Sequence, residues 1–259
     1  IVKKYDKNNL KIHNLYMDSN SIIYDAVREI EKTCDIKGCY DNKFESALIK
    51  LVCKKLEEFI KLIDPQSRVY IAFDGVAPVA KLDQQRNRRY KTGFQARILS
   101  KFDDDVDAKK SQYSWNTAAI TPGTHFMKKL GNAVKKRFAN PNEFGLDKLV
   151  VSCSGDVGEG EHKIFDYIRK NQTHHKNTTT VIYGLDADLI MLTLNHLHIA
   201  PNILLYRETP HFISSIDRTL SPNESYLLDI PLFGKVLARD LNDNKEPDTI
   251  QKRNRVFDY

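Results

Sequence analysis

The stretch VYIAFDGVAPVAKLDQQRNRRYK (residues 69–91) joins an apolar run to a row of cations. Its first five residues, Val69–Phe73, are continuous in β-branched and aromatic side chains, which is typical of a strand covered on both faces. Asp74 follows at once, and Gly75 and Pro78 then predict a turn before the cations begin. The sequence therefore predicts a buried strand whose carboxyl end carries an acid, followed by a basic helix.

Apolar runs of the same kind occur on both sides of this strand. They predict strands at residues 14–18, 148–154 and 181–186, with further strand or edge candidates at 202–208 and 225–232. Helical patterns lie between them, including an amphipathic stripe of Leu48, Val52, Phe59 and Ile63. Strands alternating with helices predict an α/β class with a mainly parallel sheet flanked by helices.

Two local predictions concern helix boundaries and loops. In ITPGTHFMKKLGNAVKKRF (residues 120–138), Thr121 is expected to cap a helix that starts at Pro122. The polar stretch NQTHHKNTTT (residues 171–180) is expected to be a surface turn with His174 and His175 exposed. Neither repeats nor linker-like composition divides the chain, so residues 1–259 are interpreted as a single domain.

The amino-acid composition and the net charge exclude several classes of protein. With 41% apolar residues in 259, the chain can bury a core and is not disordered as a whole. A net charge of +6 is compatible with a polyanionic partner. We expect no membrane span, because no apolar run approaches the ~20 residues required. Four cysteines without zinc spacing favour reduced thiols and a cytoplasmic location, with a nuclear one as the alternative.

Acidic residues follow each of the first four predicted strands. They are Asp18, Asp74, Glu159, Glu161, Asp186 and Asp188. Because the carboxyl ends of parallel strands meet at one crevice, these carboxylates are expected to converge there and to repel one another. Oxygen-binding ions relieve such repulsion, which predicts Mg²⁺ or Mn²⁺. Two such ions ~3.5–4 Å apart would assist a phosphodiester displacement.

Each acid also has an ordinary interpretation. Asp18, followed by Asn20, could cap its helix. Glu159 and Glu161 could interact favourably with the positive end of the next helix dipole. An Asp-x-Asp pair can be a plain turn. Acids at four strand ends are difficult to explain by coincidence, which argues against these interpretations. A shared metal site is therefore favoured. His162 is given no catalytic role, and GEGEH lacks the Lys-Ser/Thr of a nucleotide-binding P-loop.

The basic segment is predicted to form a helix with one phosphate-binding face. That face comprises Lys81, Gln85, Arg88 and Arg89, which lie at i, i+4, i+7 and i+8. Its many hydrogen-bond donors suit a terminal phosphate. A solvated helix surface is the alternative, but the short distance along the chain from Asp74 favours a role in the same site.

Five stretches together resemble the Xrn/Rat family of 5′-to-3′ exoribonucleases. They are NLYMDSNSIIY, YIAFDGVAPVAKLDQQRNRRY, ITPGTHFMKKL, GEGEHKIFDYIR and VIYGLDADLIMLTL, in the family's order. The resemblance implies a PIN/flap-endonuclease-like nuclease core that processively hydrolyses single-stranded RNA from a 5′-monophosphate with two Mg²⁺ ions. It implies that the six acids bind metal and that Lys81, Gln85, Arg88 and Arg89 form the 5′-phosphate pocket.

Three departures from the family pattern bear on activity. The family usually has a His six residues after its first Asp, to stack on the terminal base, and Tyr24 stands there. The family's last metal-ligating Asp follows the motif that begins at RNRVFDY (residues 253–259), where this chain ends. The family's opening Met-Gly-hydrophobic segment and the aromatic partner from its second conserved region are also absent, so we expect a chain incomplete at both ends. The Lys-, Asn- and Ile-rich sequence suggests a divergent member; a viral source, with virion location, is one interpretation.

Two other functions stay open at this level. One is a flap-type or DNA-directed 5′ nuclease on the same core, since no residue is identified that would recognise a 2′-hydroxyl. The other is a catalytically idle nucleic-acid-binding or structural homologue, which the presence of all six acids disfavours. Protein partners are not predicted by any motif.

Overall fold

The computed structural model describes residues 1–33, 42–79, 81–83, 86–87, 90–91, 94, 98, 115–207 and 224–242. Within them, seven strands form one sheet in the order β1-β7-β6-β5-β2-β3-β4. The strands are β1 (Val2–Lys4), β2 (Asn14–Asp18), β3 (Arg68–Ala72), β4 (Lys148–Ser152), β5 (Thr180–Tyr183), β6 (Ile203–Tyr206) and β7 (Tyr226–Asp229). The five contiguous strands from β6 to β4 are parallel, and β7 is antiparallel to both neighbours. The predicted mainly parallel sheet is confirmed.

Helices connect these strands. They are α1 (Asn20–Thr33), α2 (Asn42–Ile63), α3 (His125–Arg137), α4 (Gly160–Lys170), α5 (Gln172–Lys176), α6 (Asp188–Asn195) and α7 (Ile230–Asp240), with 3-10 turns at Thr117–Ala119 and Pro141–Phe144. The described residues between positions 79 and 98 are helical as well. The predicted helix in the basic segment therefore agrees with the structure wherever the structure describes it.

The core lies on both faces of the sheet because successive strand residues point to opposite sides. Leu15 and Met17 of β2 belong to one apolar cluster, which also contains residues of α1, α2 and α3. Tyr16, between them in sequence, belongs to a second cluster with residues of α4 and α6. All three side chains are fully buried. This two-sided cover explains why the central strands are apolar without alternation.

The predicted start of α3 was wrong. Thr121 donates its hydroxyl to the Ala118 carbonyl and does not cap the helix. The cap is Thr124, whose hydroxyl accepts from the Met127 amide. Gly123 lies between them with φ of +89°, outside the helical region, so the Thr-Pro-Gly stretch forms a turn and the helix begins only at His125.

The predicted end of β5 was also wrong. The strand stops at Tyr183, and not near Asp186. Gly184 is packed so closely that an added Cβ would lie 2.2 Å from Leu189 Cδ1. The chain then turns through Leu185 and Asp186 into α6.

The surface turn predicted at residues 171–180 contains the short helix α5, whose His175 is buried. His175 has 0% exposure, and its ring nitrogens lie 3.3 Å from the Tyr16 hydroxyl and 3.2 Å from Thr180 Oγ1. Burial lowers the pKa of His175 to about 4, with smaller contributions from His174 and Arg68. Polarity of the local sequence misled the prediction, because the contacts come from β2 and β5.

No helix within the described residues is long and apolar enough to cross a membrane.

Candidate active site

The sheet brings the predicted acids together at one crevice. From β2 the chain proceeds to β3 and β4 on one side and later to β5 and β6 on the other. Ligand crevices of open α/β sheets lie at such a reversal of strand order, outside the carboxyl ends. Asp18 ends β2 and Asp74 follows β3 by two residues, while Asp186 follows β5 by three. Glu159 is the N-cap residue of α4, directly before Gly160.

A cleft of about 740 Å³ opens at this edge of the sheet. Five of the six predicted acids line it, namely Asp18, Asp74, Glu159, Glu161 and Asp186. The sixth, Asp188, is the exposed first residue of α6 and is not among the lining residues that the structure describes. The volume is in the range of ordinary small-molecule and nucleotide sites.

Potential metal ligands at the cleft form two overlapping groups that could each hold a metal ion, one made of three carboxylates and one of two carboxylates and a histidine ring. One group is Asp18, Glu161 and Asp186, and the other is Glu159, Glu161 and His162. Within each group the candidate ligand atoms lie within 4.8 Å of one another. Glu161 belongs to both groups.

Asp74 is oriented by hydrogen bonds from two elements. The Gly160 amide at the start of α4 donates to Asp74 Oδ1 over 2.7 Å. Asn20 of α1 donates its side-chain amide to Asp74 Oδ2 and accepts from the Asp74 backbone amide. Sequence reasoning treated Asn20 only as a neighbour of a capping residue. No local pattern would reveal this role, because Asn20 and Asp74 are 54 residues apart.

Gly160 is required by the close approach of α4 to two acids. A Cβ at this position would lie 2.3 Å from Asp18 Oδ1 and 3.5 Å from Asp74 Oδ1. The first distance is well inside van der Waals contact and the second is an ordinary contact, so a side chain here would displace the Asp18 carboxylate. In GEGEH, this glycine permits the backbone of α4 to approach the acids closely.

Gly75 holds the end of β3 against the loop before α4. Its amide donates to the Gly158 carbonyl over 2.8 Å, and the Gly158 amide donates back to the Val76 carbonyl. An added Cβ at Gly75 would lie 1.7 Å from the Asp156 carbonyl oxygen. The turn predicted at Gly75 therefore also holds the segment that carries Asp74 against the loop that leads to Glu159.

Burial raises the pKa of Asp18 well above its ordinary value, and the nearby carboxylates of Asp74, Glu161 and Asp186 raise it further. Burial likewise raises the pKa of Asp74, against a lowering hydrogen bond from Gly160. The pKa of Glu161 is raised mainly by burial as well. Without a cation in the cleft, these acids therefore bind protons more readily than exposed acids do.

Asp18 Oδ1 is buried and has no hydrogen-bond partner among the described residues. An unpaired buried carboxylate oxygen is costly, and coordination to a cation removes that cost. The donor set around it is composed of carboxylates, which hard divalent ions prefer. These residues fit a magnesium- or manganese-type ion.

Lys81 is the described member of the predicted phosphate-binding face. Its Nζ lies 2.7 Å from Glu159 Oε2, and this hydrogen bond raises the pKa of Lys81. The lysine side chain stays 41% exposed while that of Glu159 is 8% exposed. The amine thus lies at the boundary between the acids and the solvent. The other three predicted members, Gln85, Arg88 and Arg89, lie outside the described residues.

Several cleft residues were not predicted to have a role in the site. They include residues 116–118 and 120–122, and Arg28 of α1 contributes a further cation. Tyr24, predicted to stack on a base, lines the same cleft and is 38% exposed. At the edge, Arg207 donates to the Leu185 carbonyl beside Asp186.

A family described as XRN 5′-3′ exonuclease N-terminus matches residues 1–209. The chain therefore belongs to this family. It is 32% identical to 5′-3′ exoribonuclease 1 of Saccharomyces cerevisiae over 240 residues, which cover 89% of this chain and 15% of that protein. It is 34% identical to 5′-3′ exoribonuclease 2 of Cryptococcus neoformans var. neoformans over 207 residues, covering 72% and 18%.

The 5′-3′ exoribonuclease 2 homolog of Drosophila melanogaster is 32% identical over 222 residues, which cover 78% of this chain and 23% of that protein. The chain thus spans roughly a fifth of the length of these curated relatives. The homologues are 5′-3′ exoribonucleases, so the resemblance stated from the five motifs is confirmed at the level of the family.

Proposed function

We propose that the protein hydrolyses single-stranded RNA processively from a 5′-monophosphate end to mononucleotides, using two Mg²⁺ ions. The observation that carries the proposal is the meeting of five carboxylates and Lys81 in one cleft of a chain whose relatives are named 5′-3′ exoribonucleases. The relatives' names favour RNA over DNA. They also disfavour a flap-type nuclease, while a catalytically idle homologue is a possible outcome of the test below.

The metal-binding role is assigned to Asp18, Asp74, Glu159, Glu161 and Asp186, together with Asp188 at the start of α6. When bound, two divalent ions would supply Lewis-acid activation of water and would stabilise the leaving oxygen of the phosphodiester. Asp18, Glu161 and Asp186 would offer one set of oxygens, and Glu159 and Glu161 would contribute to the second.

The protein's own cations would set the position of the substrate. Lys81 would donate to the terminal phosphate, with Gln85, Arg88 and Arg89 on the same predicted face. The amine of Lys81 contacts Glu159, so it lies beside both the acids and the proposed phosphate site. Tyr24 would stack on the terminal base. After each cut the new 5′-phosphate would enter the same pocket, which would make degradation processive.

The decisive experiment compares 5′-monophosphate, 5′-hydroxyl and 5′-triphosphate RNAs and a 5′-monophosphate DNA, each with Mg²⁺. We expect mononucleotide release from the monophosphate RNA at least tenfold faster than from the others. Lys81→Met is expected to remove most of that preference, whereas Lys54→Met, an exposed lysine of α2, should keep it. Equal rates on all RNA ends would overturn the phosphate pocket, and no Mg²⁺-dependent cleavage would favour the idle homologue.

A further inference from the structure

Lys163 is a buried cation directly behind the acids. It lies on the first turn of α4, two residues after Glu161, and is 7% exposed. Lysine is rarely buried to this degree unless its charge is satisfied. Its Nζ donates to the Phe73 carbonyl over 2.8 Å and to the Cys153 carbonyl over 2.9 Å. Both acceptors are main-chain atoms just past the ends of strands.

These two carbonyls belong to neighbouring strands that carry different parts of the site. Phe73 follows β3 and directly precedes Asp74, while Cys153 follows β4 and opens the loop to Glu159. The Phe73 amide already donates to the Ser152 carbonyl, which continues the pairing of these strands. The amine of Lys163 therefore joins the ends of β3 and β4 to the helix that bears Glu161.

We infer that Lys163 is a positioning residue, which clamps α4 against β3 and β4 and so sets the spacing between Asp74 and the two glutamates. This inference rests on the proposed metal-binding function. It accounts for the short contacts around Gly160, whose amide reaches Asp74 Oδ1 over 2.7 Å only if α4 is held against the end of β3. Lys163 itself is not among the described residues that line the cleft, so its proposed effect on the site is exerted through α4.

The positive charge of Lys163 and its positioning of α4 are expected to have opposite effects on cation binding in the cleft. Asp74, Asp18 and Asp156 interact electrostatically with this amine, so it offsets part of their negative charge. If charge dominated, removing the amine would strengthen cation binding in the cleft. If position dominates, removing it releases α4 and weakens cation binding. The sign of the change in Mg²⁺ affinity therefore separates the two.

The test is Lys163→Met, with Lys170→Met as the matched control on the exposed side of the same helix. In metal-free protein, NMR hydrogen exchange of the Gly160 amide is expected to accelerate at least tenfold in Lys163→Met and to stay within twofold in the control. By calorimetry, the Kd for Mg²⁺ is expected to rise at least fivefold in Lys163→Met only. Lys163→Arg, which keeps donors for the two carbonyls, should return this Kd to within threefold of the unsubstituted protein.

Unchanged Gly160 exchange, or Mg²⁺ binding that is unchanged or tighter in Lys163→Met, would overturn the inference. If Lys163→Met shows no cooperative thermal transition, Lys163→Gln, which removes the charge and keeps a polar amide group, replaces it under the same criteria. If the unsubstituted protein binds no Mg²⁺, the proposed metal centre fails. Gly160 exchange in that case still decides whether Lys163 holds α4.

Discussion

The two ends of the parallel sheet are both polar and largely buried, but they differ in how their polar groups are satisfied. At the amino end, Asn14 donates to Thr178 and Thr180 at 3.0 Å, and accepts at 2.9 Å from His174. His175 lies between two hydroxyls. At the carboxyl end, Asp18 Oδ1 has no partner within the described residues. An unsatisfied buried polar atom is costly, and this difference supports the proposal that the carboxyl end is the binding site.

The contrast extends to the effect of pH on stability. The folded-state pKa of Asp18 is raised, so its contribution to stability is present at low pH and is lost as the pH rises through that pKa. The folded-state pKa of His175 is lowered to about 4, so its contribution is lost as the pH falls below about 6.5. Acidification should therefore stabilise the carboxyl end and destabilise the amino end.

The largest expected effect comes from Glu161→Gln, which alters the carboxylate common to both candidate metal groups. We expect RNA hydrolysis with Mg²⁺ to fall at least about a hundredfold, equivalent to roughly 2.7 kcal/mol in the activation barrier. The thermal stabilisation by Mg²⁺ should be lost together with the activity. A matched change at the exposed Glu58→Gln of α2 should alter neither. Full activity in Glu161→Gln would rule out a shared ligand.

The amino end can be tested through His175→Gln, which keeps a side chain capable of hydrogen bonding but does not titrate. Between pH 7 and pH 5, the unsubstituted protein should lose about 2 kcal/mol of unfolding free energy that the variant does not lose, because unfolded histidine binds a proton and buried His175 does not. Urea unfolding at the two pH values measures the difference. Equal pH dependence in both proteins would mean that His175 is protonated in the folded state.

The smallest effect is expected from Asp18→Asn in metal-free protein at pH 7. Removing a buried charge among carboxylates should raise the free energy of unfolding by about 0.5–2 kcal/mol, while Mg²⁺ no longer stabilises the protein. Thermal unfolding with and without Mg²⁺ checks both parts. A lower free energy of unfolding of metal-free Asp18→Asn would show that the Asp18 carboxylate has stabilising contacts beyond those that its surroundings indicate.

Local sequence determined the central elements of the fold. Apolar runs identified β2, β3, β4 and β5, because a strand covered on both faces has no polar side to interrupt it. The acids after those runs could be selected from sequence, since strand ends in a parallel sheet face one edge. Boundaries were less accurate: β5 ends at Tyr183, and the next residue, Gly184, packs closely against Leu189, a contact that leaves no local pattern in the sequence.

Only the tertiary structure decided which polar residues serve the site. Asn20 reaches Asp74 across 54 positions of sequence, and Lys163 reaches Phe73 across 90. His175 is buried for the same reason, since its partner Tyr16 is 159 positions away. The sequence by itself therefore determined the fold class, the candidate acids and the family. Hydrogen bonds between distant segments decided how those acids are held, because their energy depends on distances that folding alone creates.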